Sequence, residues 1–572
     1  MSLASSSVNL RTVFRQKGML VVLLSLFAVL LPFVLFPSLK LFFDSIWASG
    51  HFTFEYYGQF FTSARSSALE ALLGSIYLSL LSIFFSGLVG VPLAYVFTHY
   101  DFPGKSVFSG LAVLPIAMPP LVGVLAFLFL FSESGILPRL LQVLFGTEKP
   151  PFALSGLTAV LVVHAYTMYV YFYLFTSNFY RDLDVSLLEA AQNLGAGRLA
   201  VFRRVVFPMM TPALAGAALL VFMTSMASFS APFIFADRFR VLSLEIYNTK
   251  LNGNLQLAIA QSTVLTTISI LFLVLLRKYS ERRQYRGGSK GARLLPRPLK
   301  SGWARLVFGG LGALLVTLLV LPHLVVFLIS FVKNGTWTWQ ILPAEFTFEN
   351  YLSLFADPRI AEPVINSFKM ATLATLANVV FGIAAAYLLI RKTAPGGRII
   401  ETLTMLPWAI PGTVLAISLL VAFNEPRWIT GGEILAGTFW ILPLAYFVRN
   451  MPLVFRSTYA SLQHFDPAIE EAARNLGASW WYAFKRVMVP LLAPGILAGA
   501  LLAFVLALGE FVSSILLYTH SNRPISVEII SQLRVFNLGS AAAYSAFLIV
   551  MIGIVVVVTN RYLGNRESNV VI

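Results

Sequence analysis

The sequence contains no cysteine and few charges: of 572 residues, 12% are Asp, Glu, Lys or Arg, and the 25 acidic residues are outnumbered by 41 Lys and Arg. Without Cys there is no disulfide frame, no thiolate metal site and no thiol nucleophile. Soluble domains carry about a quarter charged residues, so a chain this long with half that share is not a soluble enzyme and must set apolar surface against lipid. A phosphate-cradling loop is missing as well. Gly104-Lys105-Ser106 comes nearest, but His99 stands where the leading glycine of that motif belongs. Among His51, His99, His164, His323, His464 and His520, no pair has the spacing of a helical metal site. No catalytic constellation can be assembled.

What the sequence has instead is long apolar blocks. Hydrophobic residues make up 58% of it, and a helix needs about 20 in succession to cross a hydrocarbon core about 30 Å thick. About twelve runs qualify, near 19–43, 68–99, 106–132, 154–178, 212–236, 257–277, 303–332, 364–391, 400–424, 433–457, 492–518 and 540–563. The expected fold class is an all-α polytopic membrane protein. The first run follows Arg11, Arg15 and Lys17 but is longer than a signal-peptide core and lacks a small-residue cleavage pattern, so it is read as a retained helix. Placing the N-terminus in the cytoplasm puts the densest basic stretch, Arg277 to Arg305, there too, as the positive-inside rule requires. Both termini are then cytoplasmic. The net charge of +16 is thus topological, and nucleic acid is not an expected partner. The stretch Arg282-Arg283-Gln284-Tyr285-Arg286-Gly287-Gly288 reads as a flexible connector able to touch anionic lipid.

Self-comparison reveals a tandem repeat. Glu189-Ala190-Ala191-Gln192-Asn193-Leu194-Gly195-Ala196 returns 282 residues later as Glu471-Ala472-Ala473-Arg474-Asn475-Leu476-Gly477-Ala478. Asp184 and Asp466, Arg203-Arg204 and Lys485-Arg486, and Pro208 and Pro490 share that offset. Upstream, Ser75 and Ser367, Tyr95 and Tyr387, Gly104 and Gly396, Pro115 and Pro407, and Pro119 and Pro411 match at 292, so the first half carries extra residues, assigned to a loop from Ser132 to Ala153. The expected organisation is a first repeat over 1–280, a basic cytoplasmic linker over 281–302 and a second repeat over 303–572. Six crossings per half make the repeats parallel, with a pathway expected between them.

The repeated loops, 184–208 and 466–490, lie on the cytoplasmic side in this topology. Asp184 and Asp466 are N-caps, and Pro467 stands at a first helical position. Ala190, Ala191, Ala472 and Ala473 favour a short helix with a slim surface, and Gly195 and Gly477 end it in a left-handed cap. An amphipathic stretch follows and is expected to stop at Pro208 or Pro490. Glu-Ala-Ala, three residues, Gly, nine residues and Val-x-x-Pro, present twice, resembles the EAA motif of binding-protein-dependent ABC importer permeases. The resemblance covers nearly the whole chain and is to the fused two-repeat type.

That resemblance implies coupling helices, at Glu189, Ala190, Ala191 and Gly195 and at Glu471, Ala472, Ala473 and Gly477, that dock on two cytoplasmic ATPase subunits. It implies ATP and Mg on those partners, no cofactor on this chain, an extracytoplasmic substrate-binding protein and a place in a bacterial inner membrane. Pro452-Leu453-Val454, Arg456, Asp466-Pro467 and Leu508-Gly509-Glu510-Phe511 look like the ferric-iron group, with thiamine, phosphonate and polyamine permeases as relatives.

Inside the spans, Glu510 is the notable ionisable residue, since a carboxylate in lipid is costly. It either faces the pathway, with Ser228 as its repeat equivalent, or is a structural carboxylate bonded to Ser513, Ser514 or a neighbouring helix. Pro115, Pro119, Pro407 and Pro411 should break their helices, as hinges or as inherited packing. His164 and His323 are expected to make interhelical hydrogen bonds. A secondary transporter driven by ions is the rival class, but Glu510 is nearly alone where such carriers use several intramembrane acids.

Overall fold

The computed structural model describes residues 17–62, 67–282, 295–337, 340–391 and 396–564; Arg283 to Gly288 of the basic connector lie outside them. Among the described residues the regular structure is helical apart from two sheets of two-residue strands. Among the described residues, ten helices are long and apolar enough to span a membrane, or eleven if the bent pair Gly397–Ala409 and Gly412–Phe423 is one span. The expected tenth span falls on Ile441–Gln463, which has the length but carries Arg449 and Arg456 and is not in that count.

Two compact units form, and they do not follow the order of the repeats. One comprises 54–350 and 536–546; the other comprises 1–53, 351–535 and 547–572. The leading helix Met19–Asp44 thus belongs with the core of the second repeat, where Phe33 and Phe36 pack on Phe423 at ring separations of 6.0 and 6.4 Å. Gly302–Ser330 belongs with the core of the first repeat, packing on Pro120–Phe131 and accepting a 2.8 Å hydrogen bond from Tyr166 at Leu319 O. Each repeat in sequence therefore lends its first helix to the unit built from the other, an exchange of equivalent elements.

The core of each unit is a three-helix sandwich. Ser67–His99 packs along Gly156–Asp182 and Phe207–Met226 in one, and Pro358–Arg391 along Ile441–Gln463 and Val489–Leu508 in the other. Equivalent glycines sit where these helices approach closely. A Cβ on Gly90 would meet Tyr169 O and stand 2.9 Å from Tyr173 N, and one on Gly382 would stand 3.1 Å from Phe455 N. Small residues at such crossings let helices approach where lipid gives no hydrophobic drive between them.

Several expected single spans are interrupted. The run near 106–132 is a short helix Lys105–Leu111, a turn Leu114–Ala117 and a fresh start at Pro120. The runs near 212–236 and 492–518 break at 227–229 and 509–511 before short helices Ser230–Phe235 and Val512–Leu517. The extra residues of the first half are no plain loop: the ten-residue helix Ile136–Phe145 accounts for the difference between the two offsets.

The crossing at Gly90 sets a stability prediction. Gly90→Val must push apart two helix backbones and should destabilise the protein by about 1–3 kcal/mol or more. Gly553→Val, where a Cβ meets nothing within 4 Å, should leave the melting temperature of the detergent-purified protein unchanged.

Candidate functional site

The two repeated loops fold alike. Asp184 Oδ1 accepts from Ser186 N at 3.0 Å and Asp466 Oδ1 from Ala468 N at 2.9 Å, starting helices Val185–Asn193 and Pro467–Asn475. Gly195 and Gly477 follow at φ +83° and +88°. Ala196 N donates to Ala191 O and Ala478 N to Ala473 O, each at 3.1 Å, which closes the left-handed cap that only glycine adopts without strain. Ala191 packs against the buried cluster that includes Tyr180, Leu183 and Val206, whereas Glu189, Ala190, Glu471 and Ala472 are exposed. Leu194 and Leu476 are 89% and 90% exposed, so each knob carries an apolar tip into open space.

The stretch beyond the glycine does not stop at the proline. A π-turn at Phe202–Val206 and at Phe484–Met488 widens the helix just before Pro208 and Pro490, and the helices run on as Arg198–Met226 and Trp480–Leu508. Proline lacks an N–H, and Phe207 N and Val489 N take carbonyls five residues back, so the ladder continues around the defect. The stretch after the glycine and the span are thus one continuous helix, which starts at Arg198 or Trp480 just past the knob. The loops differ in their fastening. Trp480 Nε1 donates to the Tyr387 hydroxyl at 2.8 Å, which donates to Glu470 at 3.3 Å. In the first repeat Arg198 and Leu188 hold those positions, and Tyr95 stacks on His99 with centroids 4.0 Å apart.

The helix breaks form a second set of sites. Pro119 and Pro411 are extended residues opening helices Pro120–Phe131 and Gly412–Phe423, and the second break bends the chain by 113°. Pro115 sits in the turn Leu114–Ala117 and Pro407 inside Gly397–Ala409. Ser75 Oγ accepts from Leu242 N, and Ser367 Oγ from Ile525 N, both at 2.8 Å, satisfying helix starts that would otherwise be orphaned. Carbonyls freed at 228 and 510 are taken by the equivalent hydroxyls of Ser243 at 2.5 Å and Ser526 at 2.7 Å.

Glu510 therefore lies in a break, not within a continuous span, and it is not alone. Its Oε1 accepts from Ser513 N at 3.0 Å and its Oε2 stands 3.5 Å from Arg449 Nε. Sequence reading missed Arg449, although a cation within an expected span is itself a signal for a nearby acid. Ser228, the equivalent residue, bonds His164 Nε2 at 2.9 Å, and His164 Nδ1 meets Ser82 at 2.8 Å, so this histidine joins helices as expected. His323 instead bonds Leu319 O in its own helix at 3.2 Å. Gly104 is a left-handed turn at φ +81° before a helix. Among the described residues no group of three or more His, Asp or Glu could hold a metal ion.

Known proteins with the same sequence pattern are membrane permeases. The probable ABC transporter permease protein y4fN of Sinorhizobium fredii (strain NBRC 101917 / NGR234) is 29% identical over 92% of this chain and 92% of its own. The ferric transport system permease protein FbpB of Actinobacillus pleuropneumoniae is 27% identical over 95% of this chain and 78% of its own. The molybdenum transport system permease protein ModB of Escherichia coli (strain K12) is 36% identical over 28% of this chain and 73% of its own. The family described as binding-protein-dependent transport system inner membrane component matches residues 86–285 and again 378–568. With two such matches, over two repeats that each carry an exposed, capped knob on a spanning helix, this chain belongs to that family and is a permease subunit, not an enzyme.

Proposed function

We propose that this chain is the fused permease of an importer for ferric iron, which receives cargo from an extracytoplasmic binding protein and moves it by alternating access. Two cytoplasmic ATPase subunits, carrying ATP and Mg, dock on the loops at Glu189 and Glu471, and both termini lie on the same cytoplasmic side. The observation that carries this reading is the pair of matching knobs. Each sets an apolar tip, Leu194 or Leu476, beside exposed Glu and Ala, and each is joined to a spanning helix by the short turn at Gly195 or Gly477. Such a knob can turn the closing of a partner into a tilt of the span, a two-state change biased by the partner's ATP.

Iron as cargo is supported by the relative named for ferric transport, which matches along most of both chains. Glu510 and Ser228 are assigned to the pathway because a partly exposed carboxylate among apolar helices must meet water rather than lipid. The breaks at Pro119 and Pro411, preceded by Pro115 and Pro407, are assigned as hinges.

Two predictions follow from the loops and the pathway. Glu189→Arg and Glu471→Arg should each cut co-purification of the ATPase and import of radioiron by about tenfold, the effect of roughly 1.4 kcal/mol lost at an interface, with melting temperature unchanged. Retention of both activities in Glu471→Arg would sink the docking assignment. Glu510→Gln should lower radioiron import several-fold at equal membrane content and equal ATPase retention; wild-type import in that variant would remove Glu510 from the pathway.

A further inference from the structure

The second repeat contains an ion pair that the first lacks entirely, and it joins two helix breaks. Arg449 lies midway along Ile441–Gln463. Its guanidinium packs on the break before Gly412–Phe423: a Cβ on Gly412 would stand 3.1 Å from Arg449 Cζ. On its other side it faces Glu510 in the break before Val512–Leu517. The repeat equivalents of Gly412, Arg449 and Glu510 are Pro120, Thr167 and Ser228. The three residues are thus present together in one half and absent together in the other, and Thr167 merely bonds back to Val163 O in its own helix. Glycine at 412 is the companion of the arginine, since any larger residue would crowd the guanidinium.

The placement is electrostatically specific. The N-terminus of a helix carries partial positive charge, so a guanidinium against the start of Gly412–Phe423 is unfavourable unless an anion offsets it, and Glu510 does. The pair remains reachable, with side chains 29% and 12% exposed. Around it stand unspent polar atoms: Thr413 and Ser513, next to Gly412 and bonded through its backbone to Glu510 respectively, have fully buried hydroxyls without a hydrogen-bond partner among the described residues.

We propose that Arg449 is a positioning residue for Glu510, an internal counter-ion that a cationic cargo displaces as it passes and that drives the cargo off again. This rests on the assignment of Glu510 to the pathway. A bare carboxylate between apolar helices would hold a multivalent cation too tightly to release it, and conduction needs binding weak enough to leave. A guanidinium pressed toward Glu510 by the positive end of the helix competes for the carboxylate at every turnover. The first repeat, with neutral Ser228 and Thr167, has no trap to relieve.

The test uses the full permease with its ATPases in nanodiscs and terbium(III), a hard trivalent cation that prefers oxygen ligands as calcium does. Tyr446 is a built-in antenna: its hydroxyl bonds Ser514 at 2.7 Å, whose hydroxyl donates to Glu510 O at 2.6 Å. Sensitised luminescence is titrated in wild type, Arg449→Met, Arg449→Lys, Glu510→Gln and the double variant Arg449→Met/Glu510→Gln. Arg449→Met should tighten the Glu510-dependent component by about tenfold, the worth of one close charge pair. Arg449→Lys should stay near wild type, and both Glu510→Gln variants should lack the component. Maximal radioiron import should fall several-fold in Arg449→Met, while the half-saturating concentration of loaded binding protein stays the same.

A damaged fold would weaken terbium binding, so only the counter-ion role predicts tightening. Unchanged or weaker affinity in Arg449→Met overturns the inference even if Glu510→Gln abolishes import. Tightening in Arg449→Met combined with wild-type import in Glu510→Gln would keep the ionic coupling but overturn the pathway assignment on which the cargo role depends.

Discussion

A helix that stops inside a hydrocarbon layer frees backbone N–H and C=O groups that lipid cannot satisfy, and each left bare costs several kcal/mol. The structure is organised around meeting that constraint twice. In both repeats the sandwich helix that begins at the knob ends near 227 or 509, and the chain then makes short helical segments before its last span. Serines at equivalent positions absorb the freed groups: Ser75 and Ser367 at helix starts, Ser243 and Ser526 at the carbonyls of the breaks. Once the backbone is cared for locally, the remaining side chains at the break are free to diverge. They have done so, to His164 and Ser228 in one half and to Arg449 and Glu510 in the other.

The knobs meet the same demand in water, where it is milder. Their caps use Asp side chains and left-handed glycines, and the π-turns before Pro208 and Pro490 carry the ladder past a residue with no donor. A helix stopped at the proline would have left the knob on a loose tether. Continuity past the proline makes one helix of 29 residues from Arg198 or Trp480, just beyond the capped knob, to the break near 228 or 510. The tie from Trp480 through Tyr387 to Glu470 stiffens the second helix further, in the half that also carries the ion pair.

Much of this was legible in the sequence because it repeats. The loop helices, their caps and the proline breaks are local features, fixed by residues within a few positions of one another, and two copies at a constant offset expose them. Ser75 and Ser367 were visible as a matched pair, but their role was not, because the helix starts they serve lie about 160 residues away in sequence. The same distance hid the exchange of leading helices: hydropathy reports that Met19–Asp44 can cross a membrane, not which core it joins. Arg449 escaped notice since a window of apolar residues dilutes one cation, and the breaks at 227–229 and 509–511 did since short helical segments are as apolar as the spans beside them.

The asymmetry between halves then has a physical explanation. Duplication supplies two equal scaffolds, and the backbone constraint keeps the serines and glycines of both in place. No such constraint binds the side chains that face one another across a break. In the first half, a histidine hydrogen-bonded to Ser82 on one ring nitrogen and Ser228 on the other gives a paired joint. In the second, a guanidinium is wedged between a helix start and a single, partly exposed carboxylate. A fused chain can keep such a difference permanently, since its two halves always assemble one with the other. A pair of identical subunits would have to carry either two charged joints or none.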